Sequence, residues 1–511
     1  MPSTVELTGH DLTVADVEAV ARGDARVALA PAALEQIQAS RALIERVVAE
    51  RIPTYGVNTG FGRFVDVHIE PEQVSALQLN LLRSHACGVG EPFPVEVVRA
   101  AMLLRANALA KGTSGVRLET VQLLLDMLAA GVHPVVPSRG SLGASGDLAP
   151  LAHLGLVLVG EGRAEHAGEE LDGAAALAAA GLRPLELGAK EGLALINGTQ
   201  FMAAIGALVL ARGRRLAAVA DLAAAQTIEA VRGSRTPFAP ELQALRPHPG
   251  QIASAANLFR LLDDSQIVAS HRWCGRVQDA YSLRCSPQVH GAVRDALDYA
   301  ERVVAVELNA ATDNPLVLAA QGEVMSNGNF HGEPVAFALD MLKIALAELA
   351  NISERRTERM LNPSMSSGQP AFLTADGGLN SGFMIAQYVA ASLVSENKVL
   401  AHPASVDSIP TSAGQEDHVS MGATAAVHLW RVCDNVEHVV AVELLCGAQG
   451  LDHLAPLRPG PGVAALHAAV RELSDHLGRD RQLAGDIDAV AGAIRSGSLL
   501  AGVEAAAGQL R

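Results

Sequence analysis

Aromatic residues and cysteines are both scarce in this chain of 511 residues. Phe, Trp and Tyr together make up 3% of the sequence, whereas Ala and Leu are abundant, and this balance favours helices over sheets. The cysteines are odd in number, and no two of them form a Cys-x-x-Cys pair. The pattern is typical of reduced intracellular thiols rather than of a disulfide framework or a zinc site. The cysteines are Cys87, Cys274, Cys285, Cys433 and Cys446.

Basic residues are fewer than acidic residues in this chain. Lys and Arg number 39 against 55 Asp and Glu, so the formal net charge is −16, and no basic tract is present. Partners such as nucleic acid or an anionic membrane are therefore not expected. The most apolar stretch, residues 203–231, is interrupted by charged residues, and the N-terminal residues lack the features of a signal peptide. We expect a protein that neither enters nor binds a membrane and that works in the cytoplasm.

Helical periodicity is the clearest structural signal. Within residues 336–361, leucines recur at steps of three and four, as on one face of a helix. The sequence shows no βαβ alternation, no internal repeat and no low-complexity linker. These features predict a mainly α fold with a core of long helices. The other predicted long helices span residues 202–231, 292–311, 379–400 and 424–446.

The residues that resemble functional motifs fall in loops rich in Gly or Pro. Such loops, held by rigid helices, are common carriers of function. We predict a loop-rich N-terminal part over residues 1–200 and a long-helix bundle over residues 201–511, sharing one core. The loops span residues 53–62, 138–150, 196–199, 312–334 and 402–418.

The most informative segment is residues 140–153, Gly-Ser-Leu-Gly-Ala-Ser-Gly-Asp-Leu-Ala-Pro-Leu-Ala-His. At its centre, Ala144-Ser145-Gly146 is able to cyclise, because Gly146 has no Cβ and its nitrogen can approach the Ala144 carbonyl carbon. Loss of water from Ser145 would then leave a methylidene-imidazolone, an electrophile made from the backbone. The alternative is a small-residue turn that leads into a helix, with Asp147 as its N-cap.

With other blocks, this segment resembles the signature of the aromatic amino-acid ammonia-lyase family. The matching blocks include Tyr-Gly-Val-Asn-Thr-Gly-Phe-Gly (55–62), Val-Gln-Asp-Ala-Tyr-Ser-Leu-Arg-Cys (277–285) and Gly-Asn-Phe-His-Gly-Glu-Pro (328–334). The resemblance covers residues 8–475. It implies a 4-methylidene-imidazol-5-one group formed autocatalytically from Ala144, Ser145 and Gly146, with no external cofactor and no metal. It also implies a homotetramer whose active sites are shared between subunits.

The resemblance further implies roles for individual side chains. Tyr281 takes the β-proton of the substrate, and Tyr55 handles protons at the amino group. Arg284 holds the carboxylate, because a planar guanidinium binds a carboxylate in two-pronged fashion. Taken singly, such residues also have structural explanations: a surface ion pair for an Arg, a buried hydrogen bond for a Tyr. The remaining implied residues are Asn197 and Gln278, which hydrogen-bond the ring oxygen or the substrate, and Phe330, an apolar wall.

Two blocks indicate the substrate. Ser84-His85 resembles the members of the family that act on histidine, whereas relatives that act on tyrosine or phenylalanine show His-Leu or Phe-Leu there. His85 and Glu416 together would address the two nitrogens of an imidazole. The resemblance thus implies elimination of ammonia from L-histidine to give trans-urocanate. The chain departs from the pattern at Thr113 and Gly414, neither of which has an assigned chemical role.

Three alternatives remain at this stage. The first is a lyase or aminomutase of the same family that acts on tyrosine or phenylalanine. The second is a helical lyase of the fumarase–aspartase kind, whose mobile-loop motif is matched poorly by residues 362–367, because the glycine and the lysine are missing. The third is a scaffold without catalytic activity.

Overall fold

A computed structural model describes residues 3–143 and 146–511, so Ala144 and Ser145 lie outside the described residues. The prediction of a mainly α fold is confirmed. The α-helices of the described chain are α1 (Val14–Arg22), α2 (Pro31–Ala49), α3 (Val74–His85), α4 (Val95–Ala110), α5 (Leu118–Ala130), α6 (Leu148–Leu158), α7 (Gly173–Ala179), α8 (Glu191–Ile196), α9 (Gln200–Ala230), α10 (Pro240–Ala244), α11 (Pro249–Leu261), α12 (Gln266–Ser270), α13 (Tyr281–Arg284), α14 (Ser286–Glu307), α15 (Glu333–Leu361), α16 (Met384–Leu400), α17 (Gly422–Asp452), α18 (Pro461–Leu473), α19 (Ala484–Ser496) and α20 (Ser498–Ala507).

The long predicted helices correspond to α9, α14, α15, α16 and α17, with ends that differ by a few residues. The leucine seam of α15 is buried: Leu339, Leu342 and Leu346 have no exposed surface. This is the expected result of apolar residues at helical spacing, since one face of the helix then joins the core.

The strands are short and, over the residues that the structure describes, form four small sheets. Contrary to the sequence-based expectation, one βαβ unit is present, because β1 (Ser3–Leu7) pairs in parallel with β2 (Ala25–Leu29) across α1. Strands of five residues are too short to give a clear alternation signal, which explains why the unit was not predicted. The remaining strands are β3 (Val89–Pro92), β4 (Val132–Pro134), β5 (Pro137–Arg139), β6 (Arg163–His166), β7 (Glu169–Asp172), β8 (Leu316–Leu318) and β9 (Glu323–Met325), paired antiparallel as β3–β5, β4–β6–β7 and β8–β9.

The chain divides into two compact units, each discontinuous in sequence. Unit 1 comprises residues 1–211, 300–340 and 403–427, and unit 2 comprises residues 212–299, 341–402 and 428–511. In unit 1, helix α4 is almost wholly buried and packs against α1 and α5, while α3, α6 and α8 pack together. The division of the sequence at residue 200 stays a prediction.

The core of unit 2 contains paired charges. Asp221, which interrupts the apolar stretch of α9, accepts hydrogen bonds from His290 and Arg294, both at 2.7 Å. Burial alone would raise the pKa of Asp221, but Arg294 and His290 lower it to about 2. Arg212 forms a buried ion pair with Glu437 at 2.8 Å. Buried charges are tolerated when they are paired in this way. Across the described residues, no helix combines the length and the apolarity that crossing a membrane would need.

Candidate active site

Gly146 lies directly against Gly198 in unit 1. The two residues form an isolated parallel bridge, and the Asp147 amide donates a 2.6 Å hydrogen bond to the Gly198 carbonyl. Gly146 has φ +76°, and a Cβ added there would overlap the Gly198 carbonyl group. Only glycine fits such a close backbone approach at this φ. Ala144 and Ser145, the other predicted ring-forming residues, lie outside the described residues.

Asp147 is fully buried and occupies the N-cap position of α6. The N-cap position agrees with the turn-and-helix alternative for this segment, although the Asp147 side chain makes no capping hydrogen bond. Its carboxylate instead accepts hydrogen bonds from the Met202 amide at 2.9 Å and from the Ser141 hydroxyl at 3.2 Å. Burial raises the pKa of Asp147 to about 7, although these hydrogen bonds oppose the shift. The side chain thus ties the loop before α6 to the start of α9.

Asn197 follows α8 and is 1% exposed. Its backbone carbonyl accepts a 2.7 Å hydrogen bond from Nη1 of Arg105, a residue of α4 that is itself fully buried. Asn197 therefore belongs to the same backbone segment that packs against Gly146.

Tyr55, Phe330 and Glu416 line one cavity of about 570 Å³ in unit 1. The loop that carries Tyr55 is held by Asn58, whose side chain accepts from the Thr54 amide and donates to the Ile52 carbonyl. Burial raises the pKa of Tyr55, while the Gly62 amide opposes the shift and the charge of Glu416 adds to it. Tyr55 is therefore held as a neutral phenol, which is able to donate a proton.

His85 is the last residue of α3 and is half-buried. Its Nδ1 lies 2.9 Å from the Leu81 carbonyl, which can only accept, so Nδ1 carries the hydrogen and Nε2 is left as an acceptor. Burial lowers the pKa of His85, with the Leu81 carbonyl and the charge of Glu416 acting in the opposite direction. A neutral imidazole with a defined tautomer results.

Glu416 is fixed by Thr411 across a tight turn. The two residues form an isolated antiparallel bridge, and the Thr411 hydroxyl donates a 2.7 Å hydrogen bond to Glu416 Oε2. Between them, Ser412 and Ala413 have φ values of +52° and +54°, which non-glycine residues adopt at a cost. Backbone strain of this kind is found where a side chain must be presented in one direction.

The cavity also borders a group of possible metal ligands. Ligand atoms of His331, Glu333 and His418 lie within 4.8 Å of one another. His331 is already engaged, because its Nε2 lies 3.2 Å from the His418 carbonyl and its Nδ1 faces the Glu333 amide at 3.4 Å. Two occupied ring nitrogens do not favour a metal at His331.

Tyr281, Arg284 and Gln278 belong to unit 2. Tyr281 and Arg284 are the ends of α13, and the guanidinium lies over the Tyr281 ring with 4.9 Å between its carbon and the ring centroid. Their three-residue spacing thus places them side by side, as a helical turn requires. Gln278 and Arg284 line a cavity of about 490 Å³, and Tyr281 is 72% exposed.

The sequence-predicted residues thus fall into two groups, one in each unit. Sequence reasoning missed Arg105 and Thr411, which hold Asn197 and Glu416. For Arg105 a signal existed, since it is the one charged residue in the mostly apolar segment 100–110. No such signal existed in the sequence for Thr411, because its contact with Glu416 depends on a turn that is seen only in the folded structure.

Comparisons with known proteins agree with this picture. The sequence profile described as aromatic amino acid lyase matches residues 12–472. The chain is 60% identical to a histidine ammonia-lyase of Gloeobacter violaceus over 504 residues, which are 99% of this chain and 98% of the relative. It is similar to the structure of histidine ammonia-lyase from Trypanosoma cruzi (TM-score 0.91, 46% identity, 98% and 95% of the two chains). It is also similar to a tyrosine aminomutase from Streptomyces globisporus (TM-score 0.94, 41% identity, 99% and 100%). The chain therefore belongs to the aromatic amino acid lyase family.

Proposed function

We propose that this protein eliminates ammonia from L-histidine to give trans-urocanate, using an electrophile formed from Ala144-Ser145-Gly146. The observation that carries the proposal is the close approach of Gly146 to Gly198 within a segment whose sequence can cyclise. The identity shared with histidine ammonia-lyases supports the choice of substrate.

The residues present fit a methylidene-imidazolone at this position. A Cβ at position 146 would overlap the backbone of Gly198, so this position requires glycine. Because glycine has no side chain, nothing of its own obstructs its nitrogen during ring closure. Formation joins the Gly146 nitrogen to the Ala144 carbonyl carbon, and the carbonyl oxygen leaves as water. Ser145 then loses its hydroxyl and its α-hydrogen as a second water. The group supplies an electron-poor carbon that takes up the substrate nitrogen and makes it a better leaving group.

Arg284, Tyr281 and Gln278 act on the amino-acid end of the substrate. Arg284 pairs with the carboxylate, and Tyr281, whose ring lies against the guanidinium, removes the β-proton as the phenolate. Gln278, in the same cavity as Arg284, donates a hydrogen bond as negative charge builds.

His85, Glu416 and Tyr55 act on the ring and the leaving nitrogen of the substrate. His85 Nε2 and the Glu416 carboxylate are both hydrogen-bond acceptors, so they bind the substrate ring as an imidazolium, each accepting one of its two N–H groups. Phe330 forms an apolar wall of the cavity that Glu416 also lines, and the side-chain amide of Asn197, the residue before Gly198, donates a hydrogen bond to the ring oxygen or the substrate. Tyr55 is kept neutral by burial and is suited to supply a proton to the departing ammonia.

We further propose a homotetramer in which neighbouring subunits complete each site. Trp273 and Val277, near Tyr281, are 89% and 98% exposed. Apolar residues exposed to this extent are typical of surfaces that another protein covers. The cytoplasm is the proposed location, since the cysteines of the described chain are all unpaired and Cys433 and Cys446 are buried thiols.

The test is ultraviolet detection of the α,β-unsaturated acid that each substrate would give, with purified protein supplied with histidine, tyrosine or phenylalanine in parallel. We expect product from histidine alone and none from the Ser145→Ala variant. Turnover of tyrosine or phenylalanine in place of histidine would support the alternative within the family, for which the likeness to a tyrosine aminomutase is the specific observation. Undiminished turnover by Ser145→Ala would refute the role of the ring.

A further inference from the structure

Arg105 is a buried cation in the mostly apolar second half of α4. Its side chain has no exposed surface, and its neighbours in α4 are almost all apolar. Nη1 donates to the Asn197 carbonyl at 2.7 Å and to Oε1 of Gln200 at 3.2 Å. Within the described parts of the chain, Nε and Nη2 have no hydrogen-bond partner. A guanidinium is costly to bury with donors unused, so its presence calls for a specific explanation.

A second buried cation lies in the same cluster. Lys190 and Asp313 form an ion pair at 2.7 Å, and both are buried. The negative charge of Asp313 also stabilises the charged form of Arg105, so one carboxylate interacts with two cations. Burial lowers the pKa of Arg105 to about 10, which leaves the guanidinium charged at neutral pH. The hydrogen bond to Asn197 is therefore charge-assisted and stronger than one between neutral groups.

The position of Arg105 relative to Gly198 connects this cluster to the ring-forming segment. A Cβ added at Gly198 would lie 2.9 Å from Arg105 Nη1 and 2.6 Å from the Thr312 hydroxyl. Gly198 is also in contact with Gly146, and its carbonyl accepts from the Asp147 amide. The Asn197–Gly198 segment thus contacts both Arg105 and the ring-forming segment.

We propose that Arg105 is a positioning residue for ring formation, which keeps the Asn197–Gly198 segment pressed against Gly146. This inference rests on the proposed function, since it concerns how the Gly146 nitrogen is brought to the Ala144 carbonyl carbon. Ring closure requires the Gly146 nitrogen to come closer to a carbonyl carbon than it does in an ordinary chain. The contacts around Gly146 must therefore be rigid enough to keep the backbone from moving apart. Arg105 touches neither the substrate nor the atoms that react.

The test follows ring formation directly, without relying on turnover. Newly synthesised protein is sampled over time, and the mass of the peptide containing residues 140–153 shows whether two water molecules have been lost. Arg105→Met removes the charge and both hydrogen bonds, and Arg105→Lys keeps the charge. The matched control is Arg99→Met in the same helix, because Arg99 donates to the Val20 and Leu128 carbonyls and not to Asn197.

We expect ring formation to slow by about tenfold or more in Arg105→Met, which corresponds to the loss of one charge-assisted hydrogen bond. Arg105→Lys should restore part of the rate, and Arg99→Met should form the ring at the wild-type rate. Thermal unfolding of each variant shows whether lost stability alone accounts for the difference. If Arg105→Met does not fold, Arg105→Lys decides: slower closure at unchanged unfolding temperature supports the proposal, and the wild-type rate overturns it.

The proposal is also overturned if Arg105→Met closes the ring as fast as wild type, or if Arg99→Met is slowed equally. These results leave the proposed function intact, because wild type still carries the ring and consumes histidine. A wild-type protein that has lost no water and makes no urocanate refutes both proposals together.

Discussion

The amide nitrogen of Asp147 lies 2.6 Å from the carbonyl oxygen of Gly198, so the residue after Gly146 is bonded to the segment that packs against Gly146 itself. The loop before α6 and the segment before α9 are thereby locked together. Side-chain bonds on both sides strengthen this arrangement: Asp147 to Met202, and Arg105 to Asn197. Five properties of the described residues can be tested by experiment.

The first concerns Gly198. A Cβ there would lie 2.6 Å from the Thr312 hydroxyl and would meet the side-chain oxygen of Gln200, so Gly198→Ala forces either these buried side chains or the segment itself to shift. We expect this variant to lose most of its ring, as measured by the mass of the peptide that contains residues 140–153. Gly181→Ala is the control, because Gly181 also has a positive φ but a Cβ there has no neighbour within 4 Å. It should lose about 1 kcal/mol of stability and keep the ring.

The second concerns Tyr281, whose side chain is 72% exposed. Tyr281→Phe removes only a hydroxyl, so the free energy of unfolding should change by less than about 0.5 kcal/mol. Turnover of histidine should fall by about 10²- to 10⁴-fold, the usual contribution of a general base. The ring content, read by mass, should be that of wild type. An active Tyr281→Phe enzyme would assign the β-proton to another base.

The third concerns Thr411, which fixes Glu416 through a 2.7 Å hydrogen bond. Thr411→Val has nearly the same shape but frees the carboxylate to rotate. We expect KM for histidine to rise about tenfold with a smaller change in kcat, because a bond to a charged group is lost from the binding site. Thr411→Ser keeps the hydroxyl and should restore KM. Equal effects of the two substitutions would indicate that the turn, and not the hydroxyl, matters.

The fourth concerns pH and Glu229, a buried residue of unit 2 whose pKa burial raises to about 7. The folded protein then binds this proton more tightly than the unfolded chain, so its stability falls as pH rises from about 4.5 to about 7. Glu229→Gln cannot ionise and should gain stability relative to wild type over the same window. Denaturant unfolding at pH 5 and pH 8 measures the difference. Glu472→Gln, at an exposed position, should show no such trend.

The fifth concerns metal ions. The ligand atoms of His331, Glu333 and His418 are close together, but both nitrogens of His331 already face backbone groups. We expect that dialysis against a chelator leaves turnover unchanged and that metal analysis of the purified protein finds less than one ion per chain. Retention of a stoichiometric ion that is lost in His331→Ala would contradict this expectation.

Much of the fold was predictable because helical periodicity is a local property. The leucine seam of α15 follows from residues three and four apart, and its burial required no knowledge of the partner helix. The β1–α1–β2 unit was not predicted, since its pairing joins residues about twenty positions apart through strands too short to show alternation. The charges that interrupt α9 were visible, but their partners, such as Glu437 for Arg212, are distant in sequence.

The candidate site, like the fold, combines features that the sequence predicted with contacts that it did not. The sequence by itself determined the mainly helical fold and the family, because composition, periodicity and the segment around Gly146 are written in consecutive residues. Only the tertiary structure decided that Gly198 packs against Gly146, that Arg105 holds Asn197 and that Thr411 holds Glu416. These contacts join residues from separate elements or across a strained turn. Their geometry depends on packing, which no local pattern encodes.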